Sequence, residues 1–185
     1  MATKVKRKSK STGGIFCCEG YHECDFIDLL KIYYGTDGCR PHTENCYGSS
    51  PESITNRAIR IIHTRSYNHK ALILDSDHPL SSSDRKILEE YGYKIFESNL
   101  CWDAEILRII IKPSNRSLIK QYKACTNSPA YKDLLHKEFL GGREKLGIND
   151  LKRILPKALL DKNRTSNRWL DGCIKFIETE CLISD

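Results

Sequence analysis

The sequence predicts an α/β fold, with an open parallel sheet flanked by helices and followed by an all-helical, basic carboxyl-terminal portion. Between residues 14 and 111, short apolar segments alternate with segments of helical periodicity, and this order indicates parallel strands. The apolar run at residues 71–74 is continuous rather than alternating, which is typical of a strand covered on both faces. Beyond residue 111 only helical patterns remain.

The strands are predicted from short apolar runs that are bounded by turn residues. They cover residues 14–18, 71–74 and 93–96. Between the first two of them, residues 35–50 are rich in glycine, proline and serine, which indicates a loop or a short irregular strand.

The helices are predicted from apolar periodicity and from their end signals. Ser50 and Pro51 provide a cap and a first helical residue, and Gly92 ends the helix that follows the serines at 81–83. Further helices are predicted at residues 21–34, 101–111, 114–124, 128–140, 149–160 and 166–182.

Charge is distributed unevenly along the chain. Residues 1–10 carry a charge of +5, residues 11–111 carry −5, and residues 112–168 carry +9. An acidic half beside cationic segments is typical of a protein that binds a metal ion and a polyanion, whereas the alternative is a surface charged only for solubility.

We therefore divide the chain into three parts. Residues 1–13 form a disordered basic tail, residues 14–111 an α/β domain, and residues 112–185 a helical extension packed on it. No apolar run approaches the roughly 20 residues that span a bilayer, and no signal peptide is evident, so we expect no membrane partner. Nine irregularly spaced cysteines predict reduced thiols in a cytoplasmic protein.

Acidic residues follow each predicted strand. Glu19 follows the first strand, Asp75 and Asp77 the second, and Glu97 and then Asp103 the third. Because the carboxyl ends of parallel strands meet at one edge, these residues are expected to lie together there. Asp75 and Asp77 share a face if the strand stays extended through Ser76. Crowded carboxylates repel each other unless a cation or proton lies between them, so we predict a Mg²⁺ or Mn²⁺ site, with exposed turn aspartates as the alternative.

A second metal site is considered at Cys39, His42 and Cys46, which are zinc-type ligands, with His22 or Cys24 as a fourth. The alternative is that these are ordinary loop cysteines, because the sequence has no paired CxxC motif there.

Two motifs together resemble the Toprim family, a Rossmann-like fold. The first is IFCCEGYHE, a strand ending in Glu19-Gly20 with Glu23 four residues after Glu19, and the second is ALILDSD at residues 71–77. Within that family the chain is most similar to RloB-like proteins, in which a segment like SNPxFE follows. Here ESNLCWD at residues 97–103 stands in its place. The resemblance covers residues 14–111.

The resemblance implies a Mg²⁺- or Mn²⁺-dependent nuclease that cleaves DNA or RNA, in phage defence or a mobile element. It implies that Asp75 and Asp77 bind metal and that Glu19 is a metal ligand or acid/base. Glu23 would be a supporting acid, and Asp103 stands for the family's glutamate. Leu100 and Trp102 depart from the family pattern and Asp103 is shorter than glutamate.

Those departures leave a second hypothesis open, a catalytically silent nucleic-acid-binding or regulatory subunit with a protein partner. Phosphoryl chemistry on small nucleotides, as in haloacid-dehalogenase phosphatases, and sugar transfer also remain open for an Asp-x-Asp motif.

Other residues are assigned by spacing and type. The side chains of Lys112, Arg116, Lys120 and Lys123 are predicted to lie on one helical face that contacts nucleic-acid phosphates, with a solvated surface as the alternative. Glu105 is expected to be solvated on its helix. Trp102 and Trp169 are expected in the core.

Overall fold

The computed structural model describes residues 13–36, 41–48, 50–77, 79–142 and 146–180. Within them, four parallel strands form one open sheet, in the order β2-β1-β3-β4. The strands are β1 (Gly14–Cys18), β2 (His42–Asn45), β3 (His69–Leu74) and β4 (Tyr93–Glu97). The predicted parallel α/β architecture is therefore confirmed.

Nine α-helices accompany the sheet in the described part of the chain, and a π-helical turn, Phe176–Glu180, follows the last of them. The helices are α1 (Tyr21–Tyr34), α2 (Pro51–Thr64), α3 (Ser82–Glu90), α4 (Trp102–Ile110), α5 (Arg116–Ala124), α6 (Ser128–Phe139), α7 (Ile148–Ile154), α8 (Lys157–Arg164) and α9 (Arg168–Lys175). None of the helices in these ranges is long and apolar enough to cross a bilayer.

Of the two alternatives predicted for residues 35–50, the structure has the short strand, β2, which pairs with β1 at the edge of the sheet. The single helix predicted at residues 149–160 is wrong, since α7 ends before Leu155 and α8 starts after Pro156. Proline lacks an N–H and disfavours helical backbone in the residue before it, which explains the break.

The sheet is covered on both faces because its central strands are apolar on both sides. Phe16 and Ala71 face the larger core, which is built with α1, α4 and the carboxyl-terminal helices. Cys17 and Leu72 face the smaller core, which includes residues of α2 and α3.

The helices after residue 112 pack on the domain before it. Helix α6 packs on α4, and α7 and α9 pack on α1. Phe176 meets Phe16 of β1 with their ring centroids 4.6 Å apart in an edge-to-face arrangement. The predicted core positions of Trp102 and Trp169 are confirmed, since both side chains are buried. The basic tail predicted at residues 1–13 lies outside the described residues except for Gly13.

Candidate active site at the carboxyl edge of the sheet

The strand order places a crevice between β1 and β3. The chain leaves β1 for β2 on one side and then crosses to β3 on the other, so the connections diverge at the β1–β3 pair. Ligands of open parallel sheets bind at the carboxyl ends of strands at such a point. Glu19 follows β1 and Asp75 follows β3, and the Asp75 backbone N–H donates a hydrogen bond to Glu19 Oε2 at 3.2 Å. The structure therefore brings these two predicted residues together.

The carboxyl group of Asp75 lies beside the amino-terminus of α4. Its Oδ1 accepts hydrogen bonds from the Trp102 backbone N–H at 2.8 Å and from Ser98 Oγ at 3.1 Å. Burial, together with repulsion from Glu23 and Glu19, raises the pKa of Asp75 to about 8, although the hydrogen bond from Ser98 opposes the rise. The carboxyl group is thus held in place but is costly to ionise.

Glu23 is a buried acid in the first turn of α1. Its Oε2 accepts a hydrogen bond from the Gly20 backbone N–H at 3.0 Å. A Cβ at Gly20 would approach that oxygen to 2.9 Å, so glycine leaves room for the carboxyl group. Burial, together with repulsion from Glu19 and Asp103, raises the pKa of Glu23 to about 7.

Asp103 lies in the first turn of α4, partly buried. Burial raises its pKa and the nearby positive charge of Lys132 lowers it, and the net result is a pKa of about 6. Its Oδ1 is buried and accepts no hydrogen bond from any described residue. Glu19, Glu23, Asp75 and Asp103 therefore form one group of acids, which we call the acidic cleft.

Asp77 does not share a face with Asp75. Strand β3 ends at Leu74, and Ser76 and Asp77 lie in a turn, so the extended geometry on which the predicted pairing depended is absent. Asp77 is exposed, and its Oδ2 accepts a hydrogen bond from Ser128 Oγ of α6. Its charge still raises the pKa of Asp75, as the least of the repulsive contributions.

The acidic cleft has the chemistry of a magnesium site but not a preassembled one. Its donors are carboxylate oxygens, which Mg²⁺ prefers, and Asp103 Oδ1 is a buried acceptor without a hydrogen bond. In the described ranges, however, no three His, Cys, Asp or Glu side chains are already arranged around a common point for an ion. Binding would thus require side-chain rotation, chiefly of Asp77, with water and substrate oxygens completing the shell.

Comparisons of the chain with protein-family models, with curated proteins and with solved structures gave no match. The interpretation of the acidic cleft therefore depends on its own geometry.

A cavity of about 730 Å³ adjoins the acidic cleft, and sequence reasoning missed most of its lining. It is bounded by His22 and Asp103 together with residues of α6 that include Ser128, Lys132 and His136. Burial lowers the pKa of His22, and the neighbouring Lys132 and His136 lower it further. The only signal for the α6 residues was their spacing of four, which places them on one helical face.

Glu105 is not solvated, contrary to expectation. It is 4% exposed, its Oε1 accepts from the Asn99 N–H at 3.2 Å, and its Oε2 accepts from Asn167 Nδ2 at 2.8 Å. Arg108 Nη1 lies 3.8 Å from Oε2. Glu105 thus joins the β4–α4 connection to the residue that caps α9.

The predicted cationic face is shorter than expected. Helix α5 starts at Arg116, and Lys112 lies in the preceding turn, where its carbonyl accepts from the Asn115 N–H at 2.9 Å. Arg116, Lys120 and Lys123 do lie on α5 with helical spacing, and all three are exposed.

The predicted zinc ligands are not assembled in the described residues. His42 begins β2 and Cys46 follows its end, a separation of roughly 13 Å along an extended chain, which is too far for one ion. Cys39 lies outside the described residues. The seven described cysteines are free thiols: Cys17, Cys18, Cys24, Cys46, Cys101, Cys125 and Cys173.

Proposed function

We propose that the protein is a metal-dependent nuclease and that the acidic cleft is its active site. The main support is the crowding of four carboxyl groups at the topological crevice, one buried and three half-buried, where Asp75 and Glu23 each have a strongly raised pKa. A protein that only needed hydrogen-bond acceptors there would avoid this repulsion. A divalent cation would remove it, because it favours the ionised form of every acid around it.

The residues divide between metal binding and substrate binding. Glu19 and Asp75 would hold the metal, joined by Asp77 after it leaves Ser128, and Glu23 and Asp103 would keep the surroundings negative. A bound Mg²⁺ or Mn²⁺ would neutralise charge on the scissile phosphate and activate water. The resemblance of EGxxE and DSD to Toprim nucleases points the same way.

The substrate is held by charges outside the acidic cleft. Lys132 lies on the cavity next to Asp103 and supplies a cation for a phosphate. Neutral His22, on the same cavity, is able to accept a proton there. Farther along, Arg116, Lys120 and Lys123 of α5 present three exposed positive charges with which to follow a nucleic-acid backbone.

The nuclease proposal is tested by incubating the protein with single- and double-stranded DNA and with RNA, in Mg²⁺, Mn²⁺ or chelator. We expect cleavage of at least one polymer in metal and none in chelator. The Asp75→Asn variant should be inactive, whereas Asp84→Asn, at a partly exposed position in the first turn of α3, should cleave normally. Equal cleavage by the Asp75→Asn variant would exclude the acidic cleft as the active site.

The cationic face of α5 has its own test, binding measured in chelator over a range of salt. Replacing Arg116 and Lys120 with alanine should lower the slope of log K against log salt by about 1.4 for a single strand, since each phosphate contact adds about 0.7. Lys112→Ala, which changes a residue outside the helix, should have the smaller effect.

A catalytically silent nucleic-acid-binding subunit is the second candidate. Two observations favour it: Asp75 Oδ1 already accepts two hydrogen bonds, and no three metal ligands are preassembled among the described residues. Salt-sensitive binding without products, in every metal tested, would support this candidate. Release of phosphate from nucleoside phosphates without polymer cleavage would instead indicate small-nucleotide chemistry.

A further inference from the structure

A second charged cavity lies near the amino-terminal ends of the strands, at the end of the sheet opposite the acidic cleft. It has a volume of about 360 Å³ and is formed between the start of β2, the carboxyl-terminal part of α2 and the segment before β3. We call it the arginine cavity, after Arg57, Arg60 and Arg65, which line it together with His42, Glu44 and Tyr67. The acidic cleft lies at the carboxyl ends of the strands, roughly 15 Å of strand away.

The positive charge of this cavity is not neutralised within the described structure. Glu44 is the one acidic residue among the described residues of its lining, and it is shared between Arg57 Nη2 at 3.3 Å and His42 Nε2 at 3.1 Å. Arg60 and Arg65 are exposed and form no ion pair with any residue in the described ranges. Two guanidinium groups therefore face one cavity without an internal partner.

The geometry of arginine favours a phosphate as the ligand. A guanidinium group presents its N–H donors in a planar fork that matches phosphate oxygens, and several such groups around one cavity hold an anion from more than one side. A volume of about 360 Å³ accommodates a phosphate together with part of its sugar.

The chain link between this cavity and the basic residues 1–10 favours a polymer of phosphates over a single phosphate ion as the ligand. The Gly13 carbonyl accepts from the Asn68 N–H at 3.2 Å, next to Tyr67 of the cavity lining. Lys10 is three residues before Gly13, about 10 Å of extended chain, and the other four cations of residues 1–10 precede it in the sequence. A repeating polyanion is able to bind both sets of charges at once.

We propose that the arginine cavity is a second nucleic-acid-binding site, which holds backbone phosphates at the edge opposite the acidic cleft. The choice of nucleic acid rests on the proposed function, but the binding does not require cleavage. The two are separated by measuring binding in chelator, where no metal-dependent cleavage takes place.

The test is the affinity for a fluorescently labelled 20-nucleotide single strand as a function of salt concentration. The Arg60→Ala/Arg65→Ala variant should bind roughly 20-fold more weakly at 0.1 M salt and lower the salt slope by about 1.4, the value for two lost phosphate contacts. The matched control, Lys137→Ala/Lys152→Ala, removes two exposed lysines elsewhere and should change neither quantity by more than a small fraction of this.

Three outcomes would overturn the proposal. The first is an unchanged affinity and salt slope in the Arg60→Ala/Arg65→Ala variant, and the second is an equal loss in the lysine control. The third is that millimolar inorganic phosphate, or an acidic peptide, displaces the labelled strand completely from the wild-type protein and no longer binds to the arginine variant. The last result would identify a free-anion or protein site. Arg60→Lys/Arg65→Lys keeps the charge and should retain the slope, which excludes misfolding as the cause. An Asp75→Asn variant that binds normally but does not cleave would leave this site standing on its own.

Discussion

Asp75 and Glu105 are two carboxylates near the same end of α4, and their surroundings differ above all in charge. Both accept hydrogen bonds from backbone N–H groups and from neighbouring side chains. Glu105 also has Arg108 at 3.8 Å. Asp75 is surrounded by Glu19 and Glu23, which repel it, and the combination of burial and repulsion raises its pKa to about 8.

This difference separates a structural acid from a candidate catalytic one. A buried carboxylate with an opposite charge and filled acceptors stabilises the parts that it connects. A buried carboxylate among like charges costs stability, and folds keep such groups where a ligand or reaction uses them. Substitution of each acid in turn separates these two kinds of behaviour.

The largest expected effect is on cleavage by the Asp75→Asn variant. The amide oxygen can still accept from Trp102 and Ser98, but it cannot bind a cation as a carboxylate does, so we expect a loss of at least about 100-fold in kcat. Its Tm should be equal to that of the wild type or higher. A Glu105→Gln variant that loses cleavage just as severely while remaining folded would contradict the distinction between the two acids.

The next effect is on stability in the Glu105→Gln variant. The glutamine NH₂ group would face either the Asn99 N–H or the Asn167 amide, so one of these two donors would lose its acceptor. We expect the free energy of unfolding to fall by about 1–3 kcal/mol. Denaturant titration measures it, with Glu90→Gln on the exposed part of α3 as a control that should be neutral.

The pH dependence of the free energy of unfolding should reflect the titration of the carboxyl groups in the acidic cleft. The pKa values of Asp75, Glu23 and Asp103 are raised in the folded protein to about 8, 7 and 6, from ordinary values near 4. The folded state therefore keeps protons that the unfolded state releases. The resulting stabilisation is complete below about pH 4 and is lost as the pH rises to about 8. The decline in stability with rising pH should be smaller in the Asp75→Asn variant, as judged from denaturant midpoints at each pH. An identical decline would contradict a raised pKa for Asp75.

A smaller effect on thermal stability is expected from the binding of Mg²⁺. Mg²⁺ competes with protons for the same oxygens, so its stabilisation should be greater at pH 8 than at pH 5, and about 1.4 kcal/mol at ten times Kd. Thermal unfolding with and without Mg²⁺ measures the shift. Glu105→Gln should retain it and Asp75→Asn should lose it, and the reverse pattern would locate metal binding elsewhere.

Local sequence signals were sufficient for most elements of the fold. Apolar runs, caps and glycine stops predicted β1, α1, α2, β3 and β4, because these signals act between near neighbours. Strand β2 was harder, since its residues HTEN have no apolar run and its place depends on pairing with β1. Pro156 did carry a local signal for the break between α7 and α8, which the apolar periodicity around it obscured.

The candidate site was predictable only where topology alone determines it. Glu19 and Asp75 follow adjacent strands, so parallel pairing brings them together. Asp77 was not predictable from alternation, because the chain turns directly after β3 and Ser128 lies far away in sequence. The burial of Glu105 likewise depends on Asn167, which no pattern near Glu105 reveals.

The contact between Phe16 and Phe176 has a consequence for synthesis of the chain on the ribosome. Phe16 also meets Phe96 of β4, with ring centroids 6.4 Å apart, but its nearer ring partner emerges only after residue 175, so part of the larger core stays uncovered until then. A nascent chain in that condition offers an apolar surface to chaperones and to neighbouring copies. Removing the residues from Phe176 onward should therefore make the product aggregate during expression, even though every acid of the cleft would still be present.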